Sequence, residues 1–240
     1  MSLATRAILG QGYSPAAPTE WHYLAATVRG QRGERPGIVY CHGSGDNART
    51  ILSKAGQRPL IDALAQRYAV VAADLGLQAW GNDTHVQRIG EAITHLRATW
   101  GVTGPVILVA GSMGNLGALG YARLHPENVR AIAGIIPALD LADLMLRGAA
   151  ADINAAYPPA YNDAAMGPTH SPVKYAATLD ADLPIRLWTT SNDPICVPAT
   201  ATAFVTARPQ TVRTDLGALG HTEAAVAAAQ ASVLAWLRTI

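Results

Sequence analysis

Residues 105–117 read PVILVAGSMGNLG. Pro105 and the apolar run 106–110 have the composition of a short strand buried on both faces, the kind found in a parallel sheet with helices on either side. Gly111, Ser112, Met113 and Gly114 break the run. Helix formers then return across 115–125 with Leu116, Ala118, Leu119, Ala122 and Leu124. A serine on so sharp a strand-to-helix turn must hold a strained backbone, and its neighbours must be small. The positions two before and two after Ser112 are Ala110 and Gly114, which meet that demand. Taken alone, the turn is equally an ordinary one, because Gly and Ser punctuate many turns. The rest of the chain has to separate the two readings.

The chain has 240 residues, of which 50% are hydrophobic, and this fits one α/β domain spanning 1–240 with a single large core. No stretch approaches the roughly 18 uninterrupted apolar residues of a membrane span. Residues 1–10 are too short and too polar for a signal peptide, so a cytoplasmic or virion-associated protein is expected. A net charge of +1 with no basic run argues against a nucleic-acid partner. The two cysteines, Cys41 and Cys196, sit in no metal-ligand spacing and read as small buried hydrophobes rather than a disulfide. His22, His85, His95, His125 and His170 assemble no metal spacing either, so neither metal nor cofactor is expected.

Along the chain, 3–9 and 21–28 read as two N-terminal strands separated by a Gly/Pro-rich turn at 10–18. A buried strand at 38–41 runs into His42, Gly43, Ser44, Gly45 and Asp46. Helical spacing follows at 59–68, then a strand at 69–74, a loop at 75–83 carrying Trp80, and a helix at 84–100. After the Ser112 turn and its helix come an apolar strand at 131–136 and a segment, 141–184, with no clear strand and much Pro, Ala and Tyr. A strand at 185–190, a helix at 197–206, a strand at 211–215 and a closing Ala-rich helix complete the pattern. This alternation predicts a mostly parallel central sheet with helices on both faces.

In open α/β sheets, functional groups gather beyond the carboxyl ends of the strands. Three polar residues fall there in the order Ser112, Asp193, His221. Asp193 follows the 185–190 strand within Ser191, Asn192, Asp193, Pro194, and His221 follows the 211–215 strand. Asp193 is also readable as a turn former before Pro194, and Asp140 is its rival as the acid.

On these residues the chain resembles the α/β-hydrolase superfamily from about Trp21 onward. The resemblance is carried by His42-Gly43-Ser44-Gly45, by Ala110-Gly111-Ser112-Met113-Gly114 (the nucleophile elbow), by Ser191-Asn192-Asp193-Pro194 with Val197-Pro198, and by Gly220-His221. Ser171-Pro172-Val173-Lys174-Tyr175 is similar to the segment before the acid-bearing strand in dienelactone-hydrolase-like and peptidase-like members. Ala110 departs from the usual first glycine but keeps the position small. The 75–83 loop, with Trp80-Gly81-Asn82-Asp83, resembles hydrolases encoded among actinobacteriophage tail genes.

The resemblance implies a catalytic triad, and each role has a physical reason. A serine hydroxyl needs a base within hydrogen-bond reach, which His221 would supply, and Asp193 would fix the imidazole tautomer. The backbone N–H groups of Met113 and Ser44, with Gly45 second to Ser44, would form the oxyanion hole. His42 would orient that loop. Trp80, Tyr157, Tyr161 and Met166 read equally as pocket lining or as loop packing. The 141–184 insert falls where the superfamily carries its cap, and its shortness implies an open site for small or surface-presented acyl groups. A cofactor-independent serine esterase is therefore the expectation. A peptidase or amidase using the same triad, and a non-catalytic binding or phage virion component on the same scaffold, are the alternatives.

Overall fold

Strand β3 (Gly37–Cys41) and its neighbours β4 (Ala69–Ala72) and β5 (Val106–Gly111) are buried along their whole lengths, as strands covered on both faces must be. In the computed structural model, which describes Gly10–Gln11, Glu20–Trp21 and residues 37–240, these three join β6 (Val129–Ile135), β7 (Ile185–Thr189) and β8 (Val212–Asp215). The result is a six-stranded, all-parallel sheet in the order β4-β3-β5-β6-β7-β8. The expected strands at 3–9 and 21–28 fall, apart from Trp21, outside the described residues. Gly10–Gln11 (β1) pairs antiparallel with Glu20–Trp21 (β2), so Gly10 and Gln11, expected in a turn, belong to a short strand pair.

Alternate strand residues feed two cores. Val39, Val71 and Leu108 join the core on one face with Ile89 of helix α2 (Asp83–Trp100), Leu119 of α3 (Gly114–Leu124) and Phe204 of α8 (Pro198–Ala207). Ile38, Val70 and Ile107 point the other way, onto Leu60 of α1 (Gln57–Ala65) and Val233 of α9 (Glu223–Leu237). The period of two in the strands and the amphipathic stripes of α1 and α2 thus meet in two layers around one sheet.

The segment between β6 and β7 contains no strand, as expected, yet it is largely helical. It holds α4 (Leu141–Leu144), a kinked turn (Met145–Ala149), α5 (Ala150–Ala156), α6 (Asp163–His170) and α7 (Pro172–Tyr175). Asn162 caps α6 by accepting from Ala164 and Ala165 N–H, a short-range signal that the Pro- and Ala-rich composition obscures. Among the described residues, no helix is long and apolar enough to cross a membrane.

The chain goes from β3 outward to β4, then crosses to the other side of β3 for β5. Between β3 and β5 the connections diverge, and a crevice opens there beyond the strand ends. Two buried histidines, His42 and His85, stand near it. His85 Nδ1 accepts from Gly81 N–H at 3.1 Å, and burial together with the nearby His42 and Arg88 lowers its pKa to about 3.

Because the folded pKa lies below the free-imidazole value, the unfolded chain takes up a proton that the native one refuses. The stabilisation is complete above about pH 6.5 and is lost as pH falls toward 3, with a slope approaching about 1.4 kcal/mol per pH unit. Denaturant titrations between pH 7.5 and 4 should show this loss. His85→Asn, whose side-chain oxygen can still accept from Gly81, should flatten that part of the slope.

Candidate active site

Ser112 follows β5 with φ +46°, in the left-handed region that disfavours any residue with a side chain. The turn is held there because both backbone polar groups of Ser112 find partners. Ser112 N–H donates to Ile135 O (3.0 Å), and its carbonyl accepts from Asn115 N–H (3.1 Å) and Ala138 N–H (3.2 Å). Asn115 Nδ2 adds bonds to the carbonyls of Ser112 and Ala110, each 3.1 Å. Asn115 was not separable in the sequence from the helix it begins. Its one signal is that Asn competes for local backbone groups and favours helix starts.

Gly114 is required on steric grounds. A Cβ there would lie 2.2 Å from the Cys41 carbonyl oxygen and 2.8 Å from that of His42, both backbone atoms. Ala110 meets no such wall; its methyl is buried among the α2 and α3 side chains. This explains why the glycine usual at that position is dispensable here and Gly114 is not.

The structure brings the three polar residues together. His221 Nε2 lies 2.8 Å from Ser112 Oγ, and His221 Nδ1 lies 2.7 Å from Asp193 Oδ2. The other carboxylate oxygen accepts from Ile195 N–H and Cys196 N–H, both at 2.8 Å. Asp193 is almost fully buried and His221 retains partial access to solvent. A carboxylate accepts only, so Nδ1 carries the hydrogen in this contact and Nε2 is left to accept from the serine. Asp140 is elsewhere: its carboxylate caps α4, accepting from Ala142 and Asp143 N–H.

The loop after β3 closes the other side. A Cβ on Gly43 would lie 3.5 Å from Ser112 Cβ, so this loop runs in contact with the serine. Ser44 Oγ donates to Gln78 Oε1 at 2.6 Å. Gly45 N–H donates to the Leu77 carbonyl at 2.8 Å and is thereby committed, which leaves Ser44 as the loop's available amide candidate. Met113 immediately precedes α3, where backbone N–H groups and the helix dipole favour negative charge. His42 Nε2 accepts from Leu75 N–H (3.0 Å), and its Nδ1 faces the Gly43 carbonyl at 2.8 Å. Both ring nitrogens hold loops, and burial keeps the imidazole below its ordinary pKa.

Ser112 and His221 open into a cleft of about 480 Å3, whose walls include Trp80, Leu144, Arg147 and Ile195. Of the four side chains whose role was open, Trp80 lines the cleft. Tyr157, Tyr161 and Met166 pack behind it, with Tyr157 Oη donating to the Trp80 carbonyl. Both cysteines are free and buried. Cys196 nevertheless belongs to the site: its thiol lies against the Ser112 hydroxyl, and burial, then the Asp193 charge, push its pKa well above the usual thiol value. Asp193, Cys196 and His221 place potential metal-ligating atoms within 4.8 Å of one another. The carboxylate and imidazole are already bonded to each other and the thiol is held protonated, so this donor set fits a proton relay better than a cation.

Residues 38–238 match the alpha/beta hydrolase family. The chain belongs to that family. A search of curated proteins gives no match. Solved structures share the fold at low identity. A ferulic acid esterase is 14% identical with a TM-score of 0.70, covering 92% of each chain. An S-formylglutathione hydrolase from Agrobacterium tumefaciens is 13% identical with a TM-score of 0.70, over 95% of this chain and 91% of that one. A puromycin-hydrolyzing peptidase from Mycobacterium tuberculosis is 16% identical with a TM-score of 0.66, over 91% of this chain and 36% of its own.

The steric argument sets a contrast between two small residues. Gly114→Ala should lower stability by about 2 kcal/mol or more, because backbone must move, whereas Ala110→Gly should cost about 1 kcal/mol. Thermal or denaturant unfolding of the two variants checks the order.

Proposed function

We propose that the protein is a serine hydrolase that cleaves carboxylic esters through an acyl-enzyme, with Ser112 as nucleophile, His221 as base and Asp193 as the acid. The observation that carries this reading is the continuous contact Asp193–His221–Ser112 at 2.7 and 2.8 Å on a strained serine turn. Ser112 Oγ attacks the ester carbonyl while its proton passes to His221 Nε2. The imidazolium formed is stabilised by the buried Asp193 carboxylate, which is itself fixed by two backbone N–H groups. The negative oxygen of the tetrahedral intermediate is received by the N–H groups of Met113 and Ser44, each worth about 3 kcal/mol. His221 then protonates the departing alcohol. Water repeats the sequence in reverse to release the acid and restore Ser112.

Several fold neighbours are named as esterases, which supports the choice of ester. The modest cleft supports small substrates, or acyl groups presented from a surface. The likeness to a peptidase keeps amide cleavage as the second reading. The two differ in leaving group, since an amine must be protonated as it leaves and an activated alcohol need not be.

A fluorophosphonate probe should label Ser112, as located by mass spectrometry, and p-nitrophenyl esters of increasing chain length should be turned over with a preference for short acyl groups. Ser112→Ala should abolish labelling. Ser112→Ala and His221→Ala should each lower kcat by about 10^3-fold or more. Absence of both labelling and turnover in the wild type would overturn the proposal, and faster turnover of matched p-nitroanilides would move it to the amide.

A further inference from the structure

The loop that carries His221 is held from two sides. On its N-terminal side it is tied to the loop of Asp193: Gly220 N–H donates to Asn192 Oδ1 (2.7 Å), and Thr190 Oγ1 donates to the Gly220 carbonyl (3.0 Å). On its C-terminal side Glu223, two residues after His221, begins α9 and reaches across to α1. Its Oε2 accepts from Gly56 N–H (2.9 Å) and Gln57 N–H (3.1 Å). Helix α1 has no side-chain cap of its own, so Glu223 satisfies its first donors and gains from its dipole. The approach is close: a Cβ on Gly56 would lie 2.2 Å from the Glu223 carbonyl oxygen.

Gln57 joins this arrangement to the opposite side of the cleft. Its Nε2 donates to Glu223 Oε1 (2.9 Å) and to Asp46 Oδ2 (3.1 Å), and its Oε1 accepts from Tyr40 Oη (3.0 Å). Asp46 ends the stretch His42 to Asp46 that contains Ser44. Both carboxylates can only accept, so the amide has one possible orientation, and both of its N–H hydrogens are used. Burial, with Glu223 and Asp46 nearby, holds the Tyr40 phenol well above its usual pKa, so Tyr40 remains the donor. The charged groups converging on Gln57 are Asp46, from the loop after β3, and Glu223, from α9. Lys54 pairs with Asp46 at 3.1 Å and is the one cation in direct contact with this network among the described residues. Two carboxylates are thus bridged by one neutral side chain.

We propose that Gln57 is a positioning residue that sets the distance between the loop of the base, His221, and the loop of the oxyanion donor, Ser44. It lines the same cleft as Ser112 and His221, but its side-chain bonds go to Tyr40, Asp46 and Glu223 and not to Ser112, His221 or Asp193. An amide is suited to this task because it offers two donors in one plane without a proton that titrates, and removing it leaves two carboxylates facing each other with no bridge. The proposal rests on the catalytic reading above. Its tests therefore include one readout that needs no turnover.

Gln57→Leu should lower kcat by about 10- to 100-fold, the scale of a small misplacement of reacting groups, with KM changed little. In Gln57→Glu the new group meets Asp46 and Glu223. It can donate only when protonated, so its kcat relative to wild type should rise as pH falls, while that of Gln57→Leu stays flat. The His221 Nδ1–H proton resonance, bonded to Asp193, should be sharp in wild type and broadened in both variants at neutral pH. For Gln57→Glu it should sharpen on acidification. Thermal unfolding, followed in parallel, confines the comparison to folded protein. A wild type that neither labels nor turns over ester would overturn the catalytic reading, and the proton resonance would still decide for or against Gln57 as the spacer. An active wild type whose kcat, pH profile and Nδ1–H resonance are matched by both variants would overturn the proposal for Gln57 and leave the catalytic reading standing.

Discussion

The backbone of α3 begins within contact of the end of β3, and the geometry of the site depends on that approach. Gly114 faces the carbonyls of Cys41 and His42 with no room for a methyl. In the turn before it Ser112 takes a positive φ. The strain of a left-handed serine is of order 1 kcal/mol or somewhat more. It is offset locally by the bond Ser112 N–H donates to the Ile135 carbonyl, by those its carbonyl accepts from Asn115 and Ala138 N–H, and by the Asn115 side chain that spans the turn. The same approach brings the loop after β3 against the serine. Ser112 and the loop of Ser44 are therefore fixed by one packing contact rather than two.

From this point the remaining groups are placed by loops that lean on each other. Asp193 is fixed by the N–H groups of Ile195 and Cys196, which follow it in its own turn. His221 is held between that turn and α1. His42, though conspicuous beside Gly43 and Ser44, contributes by spending both ring nitrogens on backbone groups. A buried neutral imidazole with two partners is a stiff strut, and burial, which lowers its pKa, keeps it uncharged.

The fold was legible because strands buried on both faces leave apolar runs, and because the punctuation between them is strong. Gly111 to Gly114 and Asn192 to Pro194 each mark a strand end, and Ser112, Asp193 and His221 could be placed from the sequence beyond the carboxyl ends of the strands that precede them. Sequence placed Gly45 second to Ser44, but the contact that bears on that order, the Leu77 carbonyl taking the Gly45 amide, is a detail sequence does not carry. Gln57 and Glu223 were invisible for a related reason. They are separated by 166 positions, each is an ordinary polar residue on an ordinary helix, and their meaning arises only where α1 and α9 meet. Cys196 read as a small buried hydrophobe, which it is, yet its neighbours make it part of the site. The helices of 141–184 were missed because α4 and α7 are single turns. Their stability comes from packing, of Leu141 and Leu144 against Trp80, Met113 and Leu116 and of Tyr175 into the core beside α3 and α8, and not from periodicity of their own.

That insert is attached differently from the loops beneath it. Tyr157 Oη bonds the Trp80 carbonyl, Asn82 Nδ2 bonds the Ala156 carbonyl, and Val173 N–H bonds the Leu139 carbonyl. These contacts pin its far side, while the edge over the cleft is a kink between α4 and α5 with Gly148 at φ +103° and Leu146 88% exposed. The two sides of the cleft therefore divide the demands placed on it. The sheet side is polar and densely hydrogen-bonded, as a reaction needing fixed distances requires. The insert side presents Leu144, Arg147, Gly148 and Ala149 on short elements with few long-range bonds. Substitutions there can change the shape of the cleft without disturbing Ser112, His221 or Asp193, so selectivity among substrates is free to vary while the chemistry stays fixed.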